Sequence, residues 1–276
     1  MRGCLVGLWL CAACGRLAFD DQPAPPVELP AFDAPVPITE LNLAGFKDDD
    51  PSATGDLLEL YFNSDRPGSG LQDIYVTHRA RVTDRWDPPQ LVGELSTAAD
   101  ETNPEVSSDG LTLYFARQSA TTGLDLFVTT RTSRDQAWAP PAPLVDVNTS
   151  GDELCATPSP QGDELIVTSD RGGRHFVFFS AGDSSTQRWG VPQPMALEGV
   201  DAYLAADGRH LLFHDEDLFV AERGASGLLL GPPTVIPNVE SEVPDTDPWT
   251  SPDLQVLLFA SQRDGDSNLY EAHAAE

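Results

Sequence analysis

Residues 100–131 read DETNPEVSSDGLTLYFARQSATTGLDLFVTTR, and this stretch decides the fold. It contains an acidic pair, a proline, a Ser-Asp-Gly turn, and two short runs rich in aromatic and β-branched residues that a loop separates. Runs of this composition, bounded by Gly, Asp and Ser, are typical of strands joined in hairpins. Because no part of the chain shows sustained helical periodicity, the stretch predicts a small antiparallel sheet.

The same pattern recurs along the chain in five copies. One turn position is occupied in succession by Asp56, Asp109, Gln161, Asp207 and Asp253, at spacings of 53, 52, 46 and 46 residues. Each turn is followed by an apolar run, at residues 58–62, 111–115, 164–168, 210–214 and 256–260. A second run follows at 73–77, 125–129, 175–179, 217–221 and 268–272. A period of about 40–50 residues indicates a propeller or a solenoid, in which each unit needs its neighbours to bury its faces.

Proline-rich stretches predict the outermost strand of each unit. They follow four of the copies, at residues 86–95, 138–147, 189–198 and 231–240. Proline is confined to edge strands, so these stretches belong at the outer edge. The fifth copy lacks such a stretch, and Val36–Leu43 (VPITELNL) resembles one. We therefore predict that this N-terminal strand completes the last blade and closes the ring, which removes an exposed sheet edge.

On these residues the repeat resembles the TolB-like propeller repeat, a relative of the WD repeat. The resemblance covers about residues 36–272, and the fourth copy departs from it because it lacks the S-x-R element. The matching positions are Pro51, Ser64, Arg66, Asp73, Pro104, Ser107, Asp109, Gly110, Ser159, Pro160, Gly162, Ser169, Arg171, Pro248, Ser251, Pro252, Asp253, Ser261 and Arg263. The resemblance implies an all-β, five-bladed β-propeller of four-stranded antiparallel blades. Six blades are the alternative, because the family is often six-bladed.

The N-terminus predicts export. Residues 1–13 have one Arg and an apolar run too short to span a bilayer, which is typical of a signal peptide. Ala12-Ala13-Cys14-Gly15 resembles a bacterial lipobox, which implies lipidation at Cys14 and, with Gly15, an outer-membrane lipoprotein that faces the periplasm or the cell surface. Ordinary signal cleavage to a soluble periplasmic or secreted protein, and a misassigned start, are the alternatives. Residues 14–35 are a proline-rich linker, and residues 36–276 the propeller domain.

Composition excludes several classes of partner. The formal net charge is −28, which opposes binding to nucleic acid and to anionic lipid, so we expect membrane contact only through the lipid anchor. We expect a monomer whose acidic surface keeps it soluble. With Cys14 acylated, Cys155 is the one thiol left after signal removal, which excludes a disulfide framework and predicts a buried, inert side chain.

The main candidate site is a ring of acidic residues at the start of the inner strands. In a propeller these starts converge near the axis, where oxygen ligands from several blades could hold Ca²⁺, the one cofactor that the sequence suggests. The ring comprises Asp49, Asp100, Glu101, Asp152, Glu153, Asp201 and Asp247. The alternative is that these acids cap turns and pair with the blade arginines Arg66, Arg171 and Arg263.

Other candidates favour structural roles. Residues 264–268 have the oxygen spacing of a calcium loop but lack its Gly and Glu, so a hairpin turn is predicted. His210 and His214 are predicted at a strand surface, without a third ligand in the spacing. Trp86, Trp138 and Trp189 are predicted to pack between blades, with a carbohydrate-stacking shelf as the alternative.

The function expected from the resemblance is that of an envelope propeller that binds another envelope protein. The chain has no G-x-S-x-G, H-E-x-x-H or phosphate-loop motif, and its acids recur with the repeat, which favours a protein without catalysis. The alternative is a carbohydrate-active, glycoside-hydrolase-like or glycan-binding propeller, because two carboxylates at suitable separation would suffice for that chemistry.

Overall fold

The computed structural model describes residues 28–67, 71–224 and 226–275, which form five antiparallel sheets around one axis. These residues contain no helix, and hence none that is long and apolar enough to cross a membrane. The predicted all-β, five-bladed propeller is confirmed. Residues 1–27, which include the predicted signal peptide, Cys14 and most of the linker, lie outside the described residues.

In blades 1, 2 and 4 the strands pair in chain order, and in every blade the strand that begins the repeat faces the axis. Blade 1 comprises β2 (Asp48–Ala53), β3 (Glu59–Ser64), β4 (Asp73–His78) and β5 (Gln90–Leu91). Blade 2 comprises β6 (Glu101–Val106), β7 (Thr112–Ser119), β8 (Gly123–Thr130) and β9 (Ala142–Pro143). Blade 3 comprises β10 (Glu153–Pro158), β11 (Glu164–Ser169), β12 (Phe176–Asp183), β13 (Arg188–Trp189) and β14 (Gln193–Glu198). Blade 4 comprises β15 (Val200–Leu204), β16 (His210–Asp215), β17 (Asp217–Glu222) and β18 (Thr234–Val235). Blade 5 comprises β19 (Asp245–Thr250), β20 (Val256–Ser261) and β21 (Asn268–His273), with β1 (Val36–Pro37) as its outer strand.

The outer strands lie where the prolines predicted them. β5, β9, β14 and β18 all fall inside the four proline-rich stretches. Blade 3 departs from four strands because β12 is long enough to pair with both β13 and β14.

The N-terminal strand closes the ring, as predicted. Val36 pairs with Glu271, so β1 covers the edge of β21 and joins the two ends of the chain in one blade. The packed chain begins before this strand. Phe32 bridges to Ala274 and is fully buried, so the linker predicted to reach residue 35 ends earlier.

The core lies between blades, because the second strand of each blade packs against the inner strand of the following blade. β3 and β20 are buried along their whole length. The predicted interblade role of the tryptophans is confirmed, since Trp86, Trp138 and Trp189 are all buried. The ring of Trp138 meets Tyr61 of blade 1 edge-on, with centroids 6.1 Å apart.

Four arginines hold the inner strands to the segments that lead into them. Arg263 donates to the Asp245 carboxylate at 2.7 Å and to the carbonyl of Val239 at 2.8 Å. The same two-way contact is made by Arg66 with Asp48 and Leu41, by Arg117 with Glu101 and Leu95, and by Arg171 with Glu153 and Val147. We call this contact the arginine latch. No arginine makes this contact among the described residues of blade 4, the repeat whose sequence lacks S-x-R.

Candidate axial site

Every inner strand carries a β-bulge near its start. The pairing register shifts between Asp49 and Ser52 in blade 1, and at the corresponding step in the other four blades. In four blades the bulged residue has a left-handed backbone, with φ between 47° and 57°. These residues are Asp50, Asn103, Asp201 and Asp247. Asp and Asn tolerate this conformation better than other non-glycine residues, which accounts for their presence here. Blade 3 has Cys155 at the equivalent position.

The bulges direct these side chains to the axis, where they meet. The Asn103 amide donates to an oxygen of Asp50 at 2.7 Å and to an oxygen of Asp201 at 2.8 Å. Asp50, Asn103, Asp201 and Asp247 line one small cavity of about 30 Å³ with Cys155 and Glu105. We call Asp50, Asp201 and Asp247, with His214, the axial cluster.

His214 joins the cluster from the second strand of blade 4. Its Nδ1 accepts a hydrogen bond from the backbone N–H of Asp247 at 3.2 Å. The same nitrogen lies 3.9 Å from an Asp201 oxygen and 3.7 Å from an Asp247 oxygen. The prediction that His210 and His214 lie on the surface is wrong. His214 is mostly buried, and His210 is fully buried against the Asp207 carboxylate at 2.6 Å.

Burial and like charge together dominate the electrostatics of the cluster. Burial, followed by the charges of Asp247 and Asp201, raises the pKa of Asp50 well above its usual range. Burial and Asp247 do the same to the pKa of Asp201, and they raise the pKa of Asp49 to about 7. Burial lowers the pKa of His214 and so favours its neutral ring. The cavity lining contains no Lys or Arg that would offset these charges.

The structure brings three of the seven residues of the predicted acidic ring to the axis and places the other four in separate contacts. Asp201 and Asp247 belong to the axial cluster, and Asp49 lies beside it, bonded to Ser267. Glu101 and Glu153 instead face Arg117 and Arg171 in latches. Asp100 and Asp152 accept backbone N–H bonds from Gln72 and Leu124, at 3.0 and 2.8 Å. Of the arginines named from the sequence, Arg171 is the one that pairs with a residue of the ring, Glu153. In blades 1, 2 and 5 the axial residue lies two positions after the latch acid.

A larger cavity of about 710 Å³ opens at the other end of the channel, among the turns that join first and second strands. Its walls include the turns at residues 107–109 and 159–162, with Tyr114, Tyr203 and Trp249 at its inner end. We call it the turn-face cavity. Glu105 and Asp109 are the acids in its lining. The Asp109 carboxylate is occupied by its own turn, since it accepts from Ser107 at 2.6 Å and from the Leu111 N–H at 2.9 Å.

Glu105 lies between the two cavities and lines both. Burial raises the pKa of its carboxyl group to about 8. At neutral pH Glu105 is therefore mostly protonated, and it presents an O–H donor to the channel.

Two other predicted features are structural. The turn at residues 264–268 places Asp266 as an acceptor for the Gly45 N–H at 2.9 Å and Asp264 as a partner of the Tyr270 hydroxyl, which suits a hairpin turn. The Cys155 thiol donates to the carbonyl of Ala202 at 3.2 Å, and burial raises its pKa well above the usual range, in keeping with an inert group.

No protein-family model matches the chain, and no curated protein matches it. Among solved structures, TolB from Acinetobacter baumannii has a TM-score of 0.53 at 18% identity, over 82% of this chain and 54% of that one, so the chain spans about half of that protein's length. The putative TolB from Agrobacterium tumefaciens has a TM-score of 0.54 at 16% identity, over 85% of this chain and 79% of that one. An α-L-arabinofuranosidase from Podospora anserina has a TM-score of 0.55 at 11% identity, over 90% of this chain and 98% of that one. At these identities the likeness shows the fold alone. In fold, the chain is a TolB-like five-bladed β-propeller.

Proposed function

We propose that the protein is a non-catalytic binding module of the bacterial cell envelope, exported and held by a lipid on Cys14, that takes a segment of an envelope protein into the turn-face cavity. The cavity itself carries the proposal. It offers about 710 Å³, enough for several side chains, and its lining mixes backbone turns, small polar residues and aromatic rings with one uncommitted carboxyl group. That composition favours recognition of a polar segment.

The carboxylates argue against glycoside hydrolysis. Such enzymes hold two carboxyl groups about 5–9.5 Å apart with the scissile bond between them. Here Asp50 and Asp201 share one amide group, and the space around them is about 30 Å³, less than a sugar ring occupies. In the turn-face cavity Glu105 has no second free carboxylate opposite it among the lining residues.

The test is capture by the full-length chain, purified from membranes and immobilised, from a detergent extract of the source cell's envelope. Gln161 is exposed at the rim of the cavity, so Gln161→Trp should block entry without disturbing the fold. Gln193 is exposed on an outer strand away from the cavity, and Gln193→Trp is the matched control. We expect one protein to be captured in a 1:1 ratio by the parent and the control, and at least about tenfold less by Gln161→Trp. Capture that both variants retain, or no capture at all, would contradict the proposal.

Glycan binding is the second candidate, and Glu105 is the observation that favours it. A protonated carboxyl group in a cavity of this size can donate to a sugar hydroxyl. A panel of oligosaccharides, examined by calorimetry and by release of reducing ends, separates this candidate from protein binding. Saturable binding that Glu105→Ala abolishes would support a glycan ligand, and hydrolysis that depends on Glu105 would make the protein an enzyme.

A further inference from the structure

The axial cluster presents three lone-pair atoms to one another. Asp201, His214 and Asp247 each offer one ligand atom, and these atoms all lie within 4.8 Å of one another. Nδ1 of His214 lies 3.7 Å from Asp247 Oδ1 and 3.9 Å from Asp201 Oδ2. Two ligands of one small divalent ion at bonds of about 2.1 Å are separated by about 3–4.2 Å. The two distances from His214 therefore lie in the range for ligands of a common ion.

The two carboxylate oxygens have no N–H or hydroxyl donor among the described residues that would explain their positions. Asp247 Oδ1 accepts from no N–H or hydroxyl group among the described residues, although the Asp247 side chain is only 10% exposed. Its hydrogen-bonding neighbours are the carboxyl groups of Asp50 and Asp201. Oδ2 of Asp201 likewise has none, since the Asn103 amide binds the other oxygen. Nδ1 of His214 accepts the Asp247 N–H at 3.2 Å, so it carries its lone pair and not a proton, and a bound ion would take the place of this hydrogen bond. Mutual repulsion of these atoms is relieved when a cation lies between them.

Backbone geometry alone does not explain the carboxylates. Asn can adopt the same left-handed backbone conformation as Asp201 and Asp247, as Asn103 does at the equivalent position of blade 2. Asn at all four positions would avoid burying like charges, which is costly without a compensating ion. The presence of carboxyl groups at these positions thus needs a separate reason.

We propose that Asp201, His214 and Asp247 bind one divalent transition-metal ion, with Mn²⁺ or Zn²⁺ preferred over Ca²⁺. Asp201 and Asp247 also line the cavity of about 30 Å³, which His214 does not line and which leaves room for a water ligand beside the ion. An imidazole nitrogen suits these ions, whereas Ca²⁺ takes six to eight oxygens, which revises the Ca²⁺ expected from sequence. The ion joins blade 4, through Asp201 and His214, to blade 5, through Asp247, and acts as a structural centre of the ring.

The experiment uses the full chain without an affinity tag, stripped with a chelator and dialysed. Zn²⁺, Mn²⁺ and Ca²⁺ are titrated separately, with bound metal counted by elemental analysis and Tm followed in parallel. We expect one Zn²⁺ or Mn²⁺ per chain, bound at least tenfold more tightly than Ca²⁺. At 100-fold excess over Kd the ion should raise Tm by about 5–10 °C.

Asp201→Asn with Asp247→Asn keeps the side-chain shape and the tolerated backbone while it removes both charges. This double variant should lose the metal and its Tm shift, and Asp87→Asn at an exposed position should keep both. His214→Gln is the second variant, and it removes a neutral ligand without changing the carboxylate charges. It should lower the affinity for Zn²⁺ at least tenfold. Absence of stoichiometric metal, or binding that survives in the Asn and Gln variants, would overturn the proposal, as would Ca²⁺ bound more tightly than Zn²⁺ and Mn²⁺.

Discussion

Glu105 shows how one buried carboxyl group makes stability depend on pH. Its folded-state pKa is about 8, against an ordinary value of 4.5. Between these values the unfolded chain has lost the proton and the folded chain keeps it. The contribution to stability is therefore complete below about pH 4.5, falls as pH rises, and reaches its minimum above about pH 8.

Glu105→Gln should therefore raise the stability of the protein at pH 8.5 and change it little at pH 4.5. Each kcal/mol recovered corresponds to a rise in Tm of about 2–4 °C for a domain of this size. Tm is measured for parent and variant across pH 4–9, with Glu94→Gln at an exposed position as the control. If the difference in Tm between Glu105→Gln and the parent did not grow with pH, the raised pKa of Glu105 and its burial would be contradicted.

At the residue scale the sequence predicted acids near the axis but not which atoms meet there. Alternation along a strand assigns neighbouring residues to opposite faces, and a bulge breaks that alternation by inserting one residue. Asn103, which is not an acid, is therefore not predicted as an axial residue, although it stands directly before Pro104 as Asp50 stands before Pro51. His214 comes from another strand, and its approach depends on the distance between strands, which no spacing in the chain reveals.

At the scale of elements, the arginine latch fixes each inner strand to the segment before it. Arg66 binds the buried Asp48 carboxylate and the Leu41 carbonyl, and its guanidinium lies 4.9 Å from the centroid of Phe62. The latch was predictable in three blades because Ser-x-Arg recurs in the sequence. In blade 2 Arg117 lacks that spacing, and only the structure reveals its equivalence.

Arg66→Met should destabilise the protein by about 3–5 kcal/mol, because it leaves the Asp48 carboxylate buried without its partner. Arg174 provides the comparison, since its ion pair with Glu198 at 2.9 Å lies at the surface with the Arg side chain 74% exposed. Arg174→Met should cost about 0.5 kcal/mol or less. Both free energies of unfolding come from denaturant titrations. If the two substitutions lowered the free energy of unfolding equally, the Arg66–Asp48 pair would contribute no more than an exposed ion pair, which would contradict the prediction.

At the scale of the whole molecule, one short strand decides whether the sheet has an open edge. β1 contributes only two residues, yet Phe32, Ile38 and Leu41 around it are all buried. Proline content and the missing fifth outer strand were enough to predict this closure. The burial of Phe32, before Val36, could not be predicted, because the proline-rich composition of residues 14–35 is typical of an extended spacer without packed side chains.

A chain that starts at Ala44 should therefore leave the β21 edge unpaired and expose the apolar residues beneath it. We expect Tm to fall by at least about 10 °C and the protein to self-associate, as open edges do. A synthetic peptide of residues 28–43, added in excess, should pair with β21 and restore much of the lost stability, because strand addition reuses the same backbone bonds and the same buried side chains. A peptide of the same composition in scrambled order is the control. Ring closure by β1 would be refuted if the shortened chain melted like the parent, and sequence-specific pairing would be refuted if the scrambled peptide restored stability equally well.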